Sequence, residues 1–197
     1  MNFKALTSLV MLVMSFNVFA NDLYVEQVGD SSTVTMIQQG SGNRMGTSLD
    51  SVYIGGGSNT VYLKQQGDNN ELDMVVNGAS TNTTVNTTGS GNIQTINCGT
   101  TSSAGCSSST ITQTITGDTN TVTQSLGTGA NHTSNITATG DNNAITHTST
   151  NSGTTSGDIT VSGNLNTVSL TQSGMLNKNA TITTTGNSNT VSVSQSD

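Results

Sequence analysis

Apolar and polar residues alternate one for one along most of this chain. Val61, Leu63 and Gln65 fall on one side of such a run, with Tyr62, Lys64 and Gln66 on the other. After a turn at Gly67, Leu72, Met74 and Val76 continue the first side, and Glu71 and Asp73 the second. The pattern returns at Ile111-Gln113-Ile115, Val122-Gln124-Leu126, Ile159-Val161, Val168-Leu170-Gln172, Ala180-Ile182 and Val191-Val193-Gln195. A period of two is that of a β-strand with one buried face, and the charges sit on the other face as such a strand requires. Outward positions are mostly Thr and Ser, which suit a pleated surface without adding apolar area.

The strands are punctuated by one signature, Gly-x-x-Asn. It occurs at Gly40/Asn43, Gly56/Asn59, Gly67/Asn70, Gly89/Asn92, Gly117/Asn120, Gly140/Asn143, Gly163/Asn166, Gly174/Asn177 and Gly186/Asn189, with Gly29/Ser32 as a degenerate copy. An apolar residue follows the Asn by two positions in most copies: Met45, Val61, Leu72, Val122, Ile145, Val168 and Val191. Most successive copies are spaced by about 11 residues or twice that, with slack at two insertions, the mark of a repeat architecture.

A strand and a turn account for one such unit, so two arms make a rung of about 22 residues. A single rung cannot bury its apolar side, and rungs must stack. The expected fold is therefore all-β: a β-solenoid of strand-turn-strand rungs, roughly eight of them, cross-β in character when polymerised. Stacking sets Asn over Asn and Gln over Gln about 4.8 Å apart, so that their amides bond along the axis in ladders. Gln38, Gln65, Gln172 and Gln195 are the inward amides expected to form such ladders, and the corner Gly residues supply backbone freedom. Segment 78–116 is irregular, and strand pairing there is left open.

Composition fits this picture. Only 8% of residues are charged, 3% are aromatic, and there is no Pro or Trp. That excludes a helical bundle, an ordinary aliphatic-cored enzyme and a charge-rich disordered tail. The net charge of −7 is no footprint for nucleic acid or anionic lipid. Residues 1–20 read as a secretory leader, with Lys4 before an apolar stretch and Val18-Phe19-Ala20 as the cleavage site. The mature domain is then 21–197, with no membrane-inserted segment expected. In an oxidising compartment Cys98 and Cys106 are expected to form a short-loop disulfide around an insertion. His132 and His147 hold no zinc-like spacing with them, and no cofactor is implied.

Three copies carry a longer string: Gln38-x-Gly40-x-x-Asn43, Gln65-x-Gly67-x-x-Asn70 and Gln172-x-Gly174-x-x-Asn177; Gln27-x-Gly29 begins a fourth. Others run on to a second Gln, as in Gly56-x-x-Asn59-x-Val61-x-Leu63-x-Gln65 and Gly186-x-x-Asn189-x-Val191-x-Val193-x-Gln195. The array resembles the curlin repeat of curli fibre subunits, Gln-x-Gly-x-x-Asn-x-Ala-x-x-x-Gln, from about Leu23 to Gln195. The resemblance implies export through a dedicated outer-membrane pore of a Gram-negative bacterium. It also implies a nucleator partner, head-to-tail polymerisation with copies of itself, and an extracellular amyloid fibre serving biofilm matrix and adhesion. The chain departs from the pattern in its bulky residues after Asn, in His147 and Thr184 at Gln positions, and in the cysteine-bracketed insertion. Major subunit and nucleator are not distinguished.

Other readings compete with the fibre. Thr-x-Thr pairs at Thr110/Thr112, Thr114/Thr116, Thr121/Thr123, Thr137/Thr139, Thr146/Thr148 and Thr181/Thr183 suit a monomeric ice-binding solenoid, although they are spread over both arms. A glycan-binding adhesin has no selected site, since Tyr24, Tyr53 and Tyr62 make no aromatic platform. An enzyme is not expected, because the carboxylates scatter over turns and outer faces. Asp30, Asp68, Asp118 and Asp141, each after a corner Gly, are read as serving turn geometry and repulsion between rungs; they lack the density of calcium-binding turns. His147 is read as a ladder substitute at an inward Gln-like position, with a pH switch as the sharper alternative.

Overall fold

The computed structural model describes residues 21–28, 31–46, 52–77, 80–98, 106–127, 131–150 and 153–197, together with the backbone of 10–14. The cleavage site at 18–20, Gly29, Asp30 and the whole of the 99–105 insertion lie outside the described residues.

All described elements are strands, and they lie in two facing parallel stacks. Sheet A comprises β1 (Val10–Met14), β4 (Thr33–Gln39), β7 (Thr60–Gln66), β9 (Asn82–Thr88), β11 (Thr110–Thr116), β13 (His132–Thr139), β15 (Thr155–Ser162) and β17 (Lys178–Thr185), in that order. Sheet B runs β2 (Asp22–Leu23), β5 (Arg44–Met45), β8 (Glu71–Val76), β10 (Ile93–Asn97), β12 (Thr121–Leu126), β14 (Ala144–Ser149), β16 (Thr167–Gln172) and β18 (Thr190–Gln195). Two further strands, β3 (Val25–Val28) and β6 (Val52–Gly55), continue its first levels beside β8. Strand β1 falls within the stretch that reads as a leader and pairs with the edge of β4.

The chain is thus a β-solenoid of about seven turns. Its rungs are β4–β5, β7–β8, β9–β10, β11–β12, β13–β14, β15–β16 and β17–β18. The rung length is not a constant 22: equivalent corner residues lie 27, 22, 28, 23, 23 and 23 residues apart. Longer rungs explain why seven fit where eight of the shorter kind were expected.

Alternation becomes packing through register. Thr114, Thr137, Thr160 and Thr183 stack in one outward column of sheet A. One place along, Gln113, Ile136, Ile159 and Ile182 stack in an inward one. A one-residue slip would exchange the two faces, so the apolar inward set fixes the register. The inward set makes two apolar clusters. One contains Met36, Leu63, Leu72, Met74 and Ile96 and reaches Ile111 and Leu126; the other begins at Ile115 and Val122 and runs to Ile182. The break between them lies in the β11–β12 rung, where Gln113 and Gln124 are inward and buried.

Candidate functional site: the corner ladders

Each rung turns from sheet A to sheet B at a first corner and returns at a second. The first corner carries Gly-x-x-Asn in every rung, and its Asn residues form an unbroken column. Asn70 Nδ2 donates to Asn43 Oδ1 at 3.0 Å, and Asn92, Asn120, Asn143, Asn166 and Asn189 repeat the bond at 3.0–3.1 Å. The backbone N–H of each of these residues donates to the same oxygen. The second amide proton goes the other way, from Asn43 to Gly67 O, Asn70 to Gly89 O and Asn120 to Gly140 O, at 2.7 Å each. Each buried amide is therefore satisfied by the neighbouring Asn together with a backbone carbonyl of the stack, as a low-dielectric interior requires.

Asn21 heads the column: its Oδ1 accepts from Asn43 N–H at 3.0 Å, and its Nδ2 donates to Gly40 O. Sequence reading passed over it because no Gly precedes it. The usable signal was the spacing Asn21-x-Leu23-x-Val25-x-Gln27, which repeats that of Asn189 to Gln195.

The corner Gly is needed for more than its φ. Gly117 has φ +120°, and a Cβ there would lie 2.2 Å from Gly140 O of the next rung. Gly40, Gly67, Gly89, Gly140 and Gly163 are in the same position, each 2.0–2.2 Å from the next Gly carbonyl. The third corner residue is also left-handed, including Thr119 at φ 58° and Leu165 at φ 59°.

The aspartates that follow the corner Gly link rungs rather than holding them apart. Asp68 Oδ1 accepts from Ser41 N–H and Oγ–H at 2.8 Å, Asp118 Oδ1 from Ser90 N–H at 2.6 Å, and Asp141 Oδ1 from Asp118 N–H at 2.8 Å. Asn164 and Asn187 continue the line. The bonds from Ser41, backbone first, hold the Asp68 carboxyl below its ordinary value.

The second corner differs. Its inward column is Ser32, Asn59, Thr81, Ser109, His132, Thr155 and Lys178, all buried. Asn59 bonds only within its own corner, to Gly55 O at 2.6 Å and Gly56 O at 3.4 Å. Asn177 is exposed, and Lys178 takes the inward place, paired with Asp197. Asn59 and Asn177, although written in the same motif as the first-corner residues, are not members of an asparagine ladder.

The glutamines need the same correction. Gln172 Nε2 donates to Gln195 Oε1 at 2.9 Å, a true ladder bond. Four Gln amide nitrogens reach across to the other arm: Gln38 to Asp22 O, Gln65 to Arg44 O, Gln172 to Ser156 O and Gln195 to Asn179 O. Gln38 and Gln65 share a column, yet each amide turns to a backbone carbonyl. A Gln side chain is long enough to span the thin interior, and an unpaired buried carbonyl is costly.

Cys98 and Cys106 are disulfide-bonded, with Cα atoms 5.1 Å apart, and both are buried in the first apolar cluster. Of the six Thr-x-Thr pairs, those at 110/112, 114/116, 137/139 and 181/183 lie on sheet A, and 121/123 and 146/148 on sheet B. No group of three or more His, Cys, Asp or Glu side chains suited to a metal ion occurs among the described residues.

Residues 163–196 match the family model of the curlin associated repeat. They comprise the first corner Gly163–Asn166, β16, the second corner, β17, the corner Gly186–Asn189 and β18. No curated protein and no solved structure matches the chain. The repeat and the solenoid together fit a curlin-like structural subunit.

Proposed function

We propose that this chain is a secreted fibre subunit that polymerises head to tail, rung upon rung, into an extracellular amyloid of the curli kind. The Asn column carries this reading. Every junction between Asn43 and Asn189 uses the same bonds, whatever the neighbouring sequence, so a rung from a second copy meets the requirements that an intramolecular rung meets. The parallel backbone ladder and small, uncharged outward side chains favour the same outcome. Biofilm matrix and adhesion are the roles proposed for the fibre, and a nucleator and an outer-membrane export pore are its proposed partners. A secretory leader at 1–20 would deliver the chain to that route.

The test is release of the mature protein from denaturant, followed by electron microscopy and fibre diffraction. Fibrils with reflections near 4.8 Å along the axis and about 10 Å across it are expected. A chain that stays folded and monomeric for days at micromolar concentration, without thioflavin fluorescence, would overturn the reading. The sheet A threonines favour a second reading, a monomeric ice-binding face. Inhibition of ice recrystallisation by unpolymerised protein, lost on Thr137→Lys, separates it from the first.

A further inference from the structure

Both histidines of the chain belong to one rung. His132 opens β13 and His147 lies in β14. Both are fully buried. His147 Nδ1 is 2.7 Å from Ser134 Oγ, and Nε2 is 3.1 Å from Gln172 Oε1. The Gln172 amide nitrogen is committed to Ser156 O and Gln195 Oε1, so its oxygen must face the imidazole. Nε2 therefore donates, and Nδ1 accepts from Ser134: the neutral tautomer is fully used. His132 Nδ1 meets Thr155 Oγ1, which Ser149 Oγ also approaches at 3.5 Å.

The opposing arm is shaped around this ring. A Cβ on Gly157 would lie 2.6 Å from His147 Cε1 and 2.9 Å from Nε2. In the adjacent rung, Gln113 and Gln124 are buried, and neither side-chain amide has a hydrogen-bond partner. Gln124 is the register neighbour of His147. The polar layer thus adjoins the break between the two apolar clusters.

Among the described residues, no negatively charged side chain faces the His147 ring. β11 and β12 present Ile111, Gln113, Val122 and Gln124; β15 and β16 present Thr155, Gly157, Leu170 and Gln172. Asp158 points outward and is bound by Asn135 Nδ2, and Asp118 and Asp141 lie at the first corner. Lys178, beyond Thr155 in the His132 column, is itself cationic and paired with Asp197. Segments 99–105, 128–130 and 151–152 contain no ionisable side chain.

We propose that the β13–β14 rung is an acid-sensitive break point: protonation of the buried His147 imidazole opens this rung and divides the stack, while the rungs on either side stay folded. Burial pushes the His147 imidazole below its ordinary value; the Gln172 bond opposes this and the neighbouring His132 adds to it. The unfolded rung takes up its proton near the ordinary value of about 6.5, and the folded rung only at lower pH. Its stability is therefore whole above that pH and declines as pH falls toward the folded titration point.

The test is backbone hydrogen exchange, strand by strand, on the full folded chain at neutral pH and near pH 5, corrected for intrinsic rates. Protection in 132–139 and 144–149 should fall by up to about tenfold for each pH unit below the free value, the limit for one imidazole. Protection in β7–β10 should hold. The double variant His132→Asn, His147→Leu borrows residues already found in these columns, Asn59 and Leu170, and should abolish the pH dependence. Equal protection at both pH values, a uniform loss over all strands, or a pH dependence surviving in the double variant would each overturn the proposal. Should the variant not fold, the imidazole titration of the wild-type chain followed by NMR decides. A midpoint coinciding with the loss of protection supports the proposal, and a midpoint away from it refutes it. Neither result depends on whether the chain forms fibres.

Discussion

The two corners of the solenoid solve one problem in different ways. Both must bring the chain round tightly and bury a polar residue at the bend. The first does so with one amide repeated from Asn21 to Asn189, each bonded to the rung before and the rung after. The second holds Ser, Asn, Thr, His and Lys in a single column, bonded largely to local or improvised partners. The first corner is the axial seam of the stack, and the second closes the rung. A seam constrains sequence because each residue must suit its neighbours above and below. The closure is tied to its neighbours at only some levels and by differing groups, as from Thr81 to Cys106 O and between His132 and Thr155, so it tolerates variety, insertions and a disulfide.

Substitutions can break this contrast or sharpen it. Gly117→Ala should have the largest effect, about 4 kcal/mol of lost stability in urea unfolding, because a left-handed φ and an overlap with the next rung's backbone add together. Asn120→Ala comes next, at about 3 kcal/mol, since it strands the Asn143 side-chain and backbone N–H donors and removes the amide donors to Gly140 O and Asn92 Oδ1 inside the stack. Asn59→Ala removes the same side chain from the same motif at the other corner, and should cost only about 1 kcal/mol by the same measurement. Equal losses for Asn59 and Asn120 would erase the distinction between seam and closure. The smallest effect is a gain: Thr119→Gly relieves a β-branched residue of its left-handed conformation and should raise the unfolding free energy by up to about 1 kcal/mol.

The strands, their inward faces and the stacked architecture were legible because alternation is a local property. Val168, Leu170 and Gln172 declare their face without reference to anything distant. The division of labour between corners was not legible, because Gly56-x-x-Asn59 and Gly117-x-x-Asn120 are spelled alike and differ only in what lies above and below them. Asn177 was misplaced by one residue for the same reason, since Lys178 fills the inward position. The Gln amides were assigned to axial ladders from their spacing alone, whereas most reach across the interior to a carbonyl. Gly157 carried no signal at all: its smallness answers to His147 on the opposite arm, a relation that no window of sequence contains.

The asparagine column also has a direction. From Asn43 to Asn166 the side-chain carbonyl points toward the following rung and accepts from it, whereas the corner backbone bonds run both ways, as in Gly140 N–H to Thr116 O and Thr121 N–H to Asn143 O. Dipoles aligned in series do not cancel along the axis. An arriving rung meets an open Asn carbonyl at one end of the column and Asn N–H donors at the other, and an inverted rung would not reproduce that Asn-to-Asn match. The column therefore acts as an arrow through the molecule. Any assembly that extends it inherits a single heading, with two chemically unequal tips that need not grow at the same speed.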